Sequence, residues 1–264
     1  MNGLEQALGL SGEGPVFTAR IGAEWSQGRA AFGGLLAAFA VRAARRVVGE
    51  DRPLRSVLMD FVAPAEVGEV EVEVSLLRAG RGISHAQVQL RQKGQPLVVL
   101  LLAYGSGRST ALAWPAAQRP ELPDPESLAP LPYVEGIIPA FTQNFDFRWT
   151  RGDFPFTGGS RPEIGGWVRP RVPMPPDEAL VLALVDSWPA PILPLLSGHA
   201  PASTVTWMVD FVGPIHGAPG DWWAFYGDAV QAGGGYSSIE GRLWGPSGEL
   251  VAVSRQCVAE FSKP

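Results

Sequence analysis

MDFVAP at 59–64 returns as VDFVGP at 209–214, an offset of 150, and this recurrence decides the fold. The likeness continues downstream. RAGRGISHAQVQLRQKGQPLVVLLLAYG from Arg78 runs beside QAGGGYSSIEGRLWGPSGELVAVSRQCVAEF from Gln231. Gly82 then falls on Gly235 at an offset of 153, and Gly94 on Gly248 at 154. A few residues of turn insertion explain the drift. The chain is read as two copies of one unit, because a repeat changes the topology being sought.

Each copy has the same grammar. In the first, VFTARIGAEW (16–25) is an extended, aromatic-rich lead-in. A helix follows from about Gly34 to Val48, apolar on nearly every face except at Arg42, Arg45 and Arg46, so it should be largely buried. LRSVLMDFV (54–62), VEVEVSLL (70–77), HAQVQLRQ (85–92) and PLVVLLLAYG (96–105) read as strands, two of them with period-2 alternation. RQKGQP is a hairpin turn with Gly94 suited to positive φ. In the second copy, FTQNFDFRWT (141–150) takes the place of the lead-in and DEALVLALVDSW (177–188) is the helix. Asp177 is its predicted N-cap and Pro189 its stop. STVTWMVDFV (203–212), DWWAFYGDAV (221–230), YSSIEGRLW (236–244) and ELVAVSRQCVAEF (249–261) are the strands. The Pro-rich stretch 113–135 reads as a semi-rigid linker, which sets the copies at 1–112 and 136–264. The stretch 152–176 has no counterpart in the first copy and reads as an irregular insertion, either a cover over a site or a surface loop. The architecture is α+β. A helix with no polar face needs a sheet wrapped round one side and a second body on the other.

Composition narrows the function. Apolar residues make up 46% of the 264 residues, enough for a sizeable core. A net charge of −5 leaves no basic footprint for nucleic acid. The single cysteine, Cys257, excludes an intramolecular disulfide. The N-terminus lacks a basic start followed by an apolar run, and no stretch reaches the ~18 apolar residues of a membrane span. A soluble, cytoplasmic protein without membrane partners is expected.

FGGLLAAFAVRAA (32–44), RPLRSVLMDFVAPAEVGEVEVEV (52–74) and GGYSSIEGRLWGPSGELVAVSRQ (234–256) together resemble the acyl-CoA thioesterase II family, the double-hotdog thioesterases. The resemblance covers nearly the whole chain. It implies two tandem hotdog units, each a long central helix wrapped by a curved antiparallel β-sheet. It also implies an acyl-CoA substrate, no cofactor or metal, and pairing into a homodimer or higher homo-oligomer. Members resemble one another in a trio of Asp, Thr or Ser, and Gln in the second unit. Here that implies Asp186 in LALVDSW, Thr204 in ASTVTW (or its neighbour Ser203), and Gln256 in VAVSRQ as catalytic residues. The strand VTWMVDF departs from the polar run of the best-known members, which bears on substrate preference.

The repeat tests this trio independently. Extending the offsets maps Asp186 onto Leu36, Thr204 onto Leu54 and Gln256 onto Leu102. Three leucines mark an interior location, where a carboxylate, a hydroxyl and an amide are costly unless paired. Asp186 also sits in the last turn of its helix, where a negative charge opposes the dipole. Local stability does not ask for it there. Without a function, Asp186 would be accepting hydrogen bonds from a nearby loop, Thr204 would be an ordinary strand residue and Gln256 a surface amide. With one, a carboxylate acts as general base on water while hydroxyl and amide orient it. Backbone N–H groups near Gly33–Gly34 are the expected oxyanion donors.

Other chemistries lack their residues. There is no G-x-S-x-G, no H-E-x-x-H, no paired cysteine and no phosphate loop. His85, His199 and His216 are scattered; His199 either lines the site or is a solvated loop residue. Cys257 should face away from Gln256 and be inert, and Trp222 and Trp223 should be core or sheet-face residues. The alternatives to a hydrolase are a non-catalytic acyl-thioester-binding protein and, behind it, a hydratase, which would want a His–Asp pair.

Overall fold

The computed structural model describes residues 3–49 and 52–262. Its framework is one eleven-stranded antiparallel sheet and two helices that lie side by side on it. In chain order the strands are β1 (Val16–Ile21), β2 (Leu54–Phe61), β3 (Gly68–Ala79), β4 (Ile83–Gln92), β5 (Gln95–Gly105), β6 (Phe145–Arg151), β7 (Glu163–Pro170), β8 (Ala202–Phe211), β9 (Trp223–Gly233), β10 (Tyr236–Trp244) and β11 (Leu250–Glu260). The helices are α1 (Gly33–Val48) and α2 (Glu178–Asp186).

The order across the sheet is β1-β3-β4-β5-β2-β8-β11-β10-β9-β7-β6. From the centre outward the two halves match strand for strand, apart from the extra edge strand β6. At the centre β2 pairs with β8, and Leu58 stands opposite Met208, its own counterpart at the offset of 150. The pseudo-twofold axis of the repeat therefore passes through this pair. Bulges fall at equivalent points too. One lies between Leu54 and Ser56 and its twin between Thr204 and Thr206; another pair lies between Leu76 and Arg78 and between Ala229 and Gln231.

Two sequence expectations change. The stretch 152–176 is not wholly irregular, since 163–170 within it is strand β7, paired to β9 as β1 is to β3. By sheet position β7, not the 141–150 segment, is the counterpart of the first lead-in. The second central helix is also not long. It has nine residues against sixteen in α1. Asp177 caps its start, its carboxylate accepting from the Leu180 N–H at 2.9 Å. At the other end Pro189 disfavours helical backbone at Trp188 and cannot continue the ladder.

The core lies between helices and sheet. Leu35 to Ala40 of α1 and Leu180 to Leu184 of α2 are almost wholly buried. On the outer face of the second half, the linker is a fastened strap rather than a free tether. Trp244 donates to Ala117 O at 3.0 Å, Trp167 to Pro123 O at 2.8 Å, and Trp222 to Glu126 Oε1 at 2.8 Å. Trp222 is thus a strap anchor while Trp223 is core. Among the described residues the outer face of the first half has no such cover and exposes Leu58, Leu76, Leu77 and Leu101. No helix among the described residues is long and apolar enough to cross a membrane.

Candidate active site

The three polar residues singled out by the sequence meet at one point of the second half. Gln256 on β11 faces the helices beside Trp207, its partner across the ladder. Its Nε2 donates to Asp186 Oδ1 at 3.1 Å, and its Oε1 accepts from Thr204 Oγ1 at 3.4 Å. The bulge after Thr204 explains how the hydroxyl arrives there. Thr204 and Trp207 are three residues apart and would face opposite ways on a regular strand, but the extra residue brings both to the helix side. Ser203 is exposed, its hydroxyl directed at the Thr204 carbonyl, so Thr204 supplies the hydroxyl of the cluster.

Asp186 ends α2 against the start of α1. The Gly34 N–H donates to its carboxylate. The negative end of its own helix repels the charge and the positive end of α1 attracts it. Both glycines are needed for this approach. A Cβ on Gly33 would stand 2.8 Å from Asp186 Oδ2 and 3.0 Å from the Phe61 ring. A Cβ on Gly34 would stand 2.5 Å from the Phe32 ring and 3.0 Å from the Ala183 Cα. Burial pushes the Asp186 carboxyl up to about 7, against the lowering pull of the Gly34 N–H and the Gln256 amide. A carboxylate poised near neutrality suits proton abstraction from water.

The Gly34 N–H acts on the Asp186 carboxylate and favours its charged form. Gly34→Ala is expected to force α1 off α2, because Ala183 offers backbone rather than a flexible tip. Destabilisation of about 1–3 kcal/mol in urea melts, with a larger fractional loss of activity than of folded protein, would show it.

Strand registers settle two of the three apolar counterparts. Thr204 pairs with Val258 as Leu54 pairs with Tyr104, and Trp207 pairs with Gln256 as Val57 pairs with Leu102. Leu54 and Leu102 thus stand where expected. Leu36 does not. Counting from the N-caps, Phe32 and Asp177, the ninth residue of each helix is Val41 and Asp186. The helices are offset by 145 and the strands by 150, because the longer α2–β8 connection (187–201, against 49–53) more than makes up for the shorter α2. Val41 is buried, so the counterpart of Asp186 is apolar, though on a different residue from the one expected.

The position equivalent to the cluster holds an ion pair instead. Arg45 of α1 meets Glu178 of α2, and Glu178 also accepts from the Leu54 N–H at 3.3 Å. The Arg45 guanidinium lies 4.5 Å from the centre of the Tyr104 ring. Asp177 takes Arg42 at 2.6 Å beside it. The remaining candidates stand apart from the trio. His199 is exposed against Phe156, and half-buried Cys257 belongs to the opposite face of β11. Phe61 and Phe32, which close on the Gly33–Gly34 pair, were missed by the sequence reading.

The N-terminal domain of acyl-CoA thioesterases matches residues 21–106, and the C-terminal domain matches residues 117–259. Among solved structures, a conserved protein of unknown function with a hot dog fold from Alicyclobacillus acidocaldarius is similar at 24% identity and a TM-score of 0.90, over 99% of this chain and 98% of that one. The tesB protein of Mycobacterium avium subsp. paratuberculosis has 22% identity and a TM-score of 0.80, over 98% of each chain. The acyl-CoA thioesterase II TesB2 of Mycobacterium marinum has 19% identity and a TM-score of 0.75, again over 98% of each. These likenesses establish the hotdog fold. No curated protein matches the chain significantly by sequence.

Proposed function

The chain belongs to the acyl-CoA thioesterase family and is a thioester hydrolase, and from that premise we propose that it cleaves an acyl-CoA to free acid and CoA with Asp186 as general base. The observation that carries this reading is the Asp186 carboxylate itself, raised to about 7 and held by Gln256 and Gly34, with Val41 and Leu102 as the counterparts of Asp186 and Gln256 in the other copy. Water attacks the thioester carbonyl carbon and gives its proton to Asp186. The tetrahedral intermediate collapses with cleavage of the C–S bond, and the departing sulfur takes that proton. Thr204 commits its O–H to Gln256, so its oxygen keeps lone pairs with which to hold the attacking water. Gln256 in turn fixes the carboxylate. In this reading the copy at 136–264 carries the chemistry and the copy at 1–112 supports it by presenting α1. Assembly into a homodimer or higher oligomer belongs to the proposal as well, with the uncovered Leu58–Leu101 face available for it.

Release of free thiol from a set of acyl-CoAs tests the proposal. Turnover by the wild type is expected, and Thr204→Val should lower kcat about 10–10²-fold with KM little changed. Binding of acyl-CoA without any release would instead favour a non-catalytic acyl-thioester-binding protein.

A further inference from the structure

Beyond the trio, the second half carries a construction that the first lacks. The connection after α2 (187–201) is long, and it is zipped to the loop that precedes β7. The Phe156 N–H donates to Leu193 O at 2.9 Å, Gly158 to Leu196 O at 3.0 Å, and Gly159 to Pro194 O at 2.8 Å. This joined pair of loops adjoins a file of aromatic rings that begins two residues past Asp186. Trp188 stacks on Phe225 at 5.6 Å and 12° and meets Phe147 edge-on at 5.4 Å. Trp149 lies 5.4 Å from Trp188 on one side and 4.9 Å from Phe154 on the other. Phe154 is 50% exposed, so the file runs from solvent to the end of the helix that bears Asp186.

Two anomalies converge on this file. Trp188 is 7% exposed, and its Nε1 donor is buried without an acceptor. Buried donors in folded proteins are nearly always paired, so an orphan asks what completes it. Phe156 holds φ 67, a left-handed conformation that a bulky side chain rarely adopts. Such outliers gather where a site over-determines the backbone. The first copy also has a buried tryptophan donor without an acceptor, at Trp25, and a left-handed residue, at Lys93; in the second copy the two features lie together beside the file that leads from solvent to the helix bearing Asp186.

We propose that this aromatic file is the acyl-group subsite and that the substrate is an aryl-acyl thioester, its ring packed against Trp149, Phe154 and Trp188. Aromatic walls take a flat ring in offset or edge-on contact better than a flexible alkyl chain, which must also be ordered on binding. An oxygen of the bound acyl group would complete the Trp188 N–H. The inference rests on the hydrolase reading above for the direction in which the acyl group leaves Asp186.

The test compares phenylacetyl-CoA with octanoyl-CoA, which have equal carbon counts, by thiol release from wild type, Phe154→Ala and Trp149→Leu. Affinity of both compounds for Asp186→Asn is measured by tryptophan fluorescence. Wild type is expected to favour phenylacetyl-CoA in kcat/KM by about tenfold or more, and both aromatic substitutions should collapse that ratio. Equal or better turnover of octanoyl-CoA, or a ratio untouched by Phe154→Ala and Trp149→Leu, overturns the aryl subsite while leaving the hydrolase reading intact. If no thioester is cleaved, the hydrolase reading fails, and the affinities decide the subsite alone. Tighter binding of phenylacetyl-CoA by about tenfold supports it, and equal affinity overturns it.

Discussion

Asp186→Asn is expected to lower kcat by about 10²–10⁴-fold while making the protein more stable at pH 8. The two effects have one cause. Burial raises the folded-state pKa of Asp186 from 3.8 to about 7, with the Gly34 and Gln256 hydrogen bonds offsetting only part of the cost. Between those values the native state binds more protons than the unfolded chain. Stability due to this group therefore falls as pH rises through that window and levels off above it. At pH 8 the wild type holds an ionised carboxylate in a poor solvent. Asparagine removes the charge and keeps an oxygen for the Gly34 N–H. The gain in urea-derived stability should be roughly 1–4 kcal/mol. A variant that is inactive because it is unfolded would show the opposite stability change, so the two melts separate a lost base from a lost fold.

Glu178→Ala is the largest expected stability loss. Arg45 and Glu178 have side chains only 13% and 19% exposed. Removing the carboxylate leaves the guanidinium with the Arg52 carbonyl at 2.5 Å, the Gly49 carbonyl at 3.2 Å and the face of Tyr104. It also takes the acceptor from the Leu54 N–H. A buried charge stripped of its counter-ion costs about 3 kcal/mol or more, read as a lower midpoint in urea. Activity per folded molecule should stay near that of wild type, because this pair stands at the twin position and touches none of the trio. A strong fall in kcat with unchanged stability would mean that the first copy takes part in the chemistry.

The sequence made the repeat, the strand alternation and the trio legible because each leaves a side-chain signal. VEVEV and QVQLRQ alternate because one face meets the helices and the other meets solvent. Strand β7 was hidden for the opposite reason. Nearly all of EIGGWVRP is buried, the strap covering its outer side, so no alternation remains. Its glycines look like loop but are required by close backbones. A Cβ on Gly165 would stand 2.5 Å from Phe225 O, and one on Gly166 2.0 Å from Arg148 O. The pairing of Asp186 with Leu36 failed because a gapless offset ignores the longer connection after α2, and Val41 takes the place. The Gly34 N–H on Asp186 is a backbone contact and has no residue type to announce it.

The most direct measurement is kcat/KM for thiol release by the wild type as a function of pH. With Asp186 as the base, the rate should climb tenfold per pH unit at acid pH and reach a plateau above about 7, since its carboxyl is raised to about 7. A rate that is already flat from pH 5 to 8, with Asp186→Asn retaining it, would contradict the general-base role of Asp186.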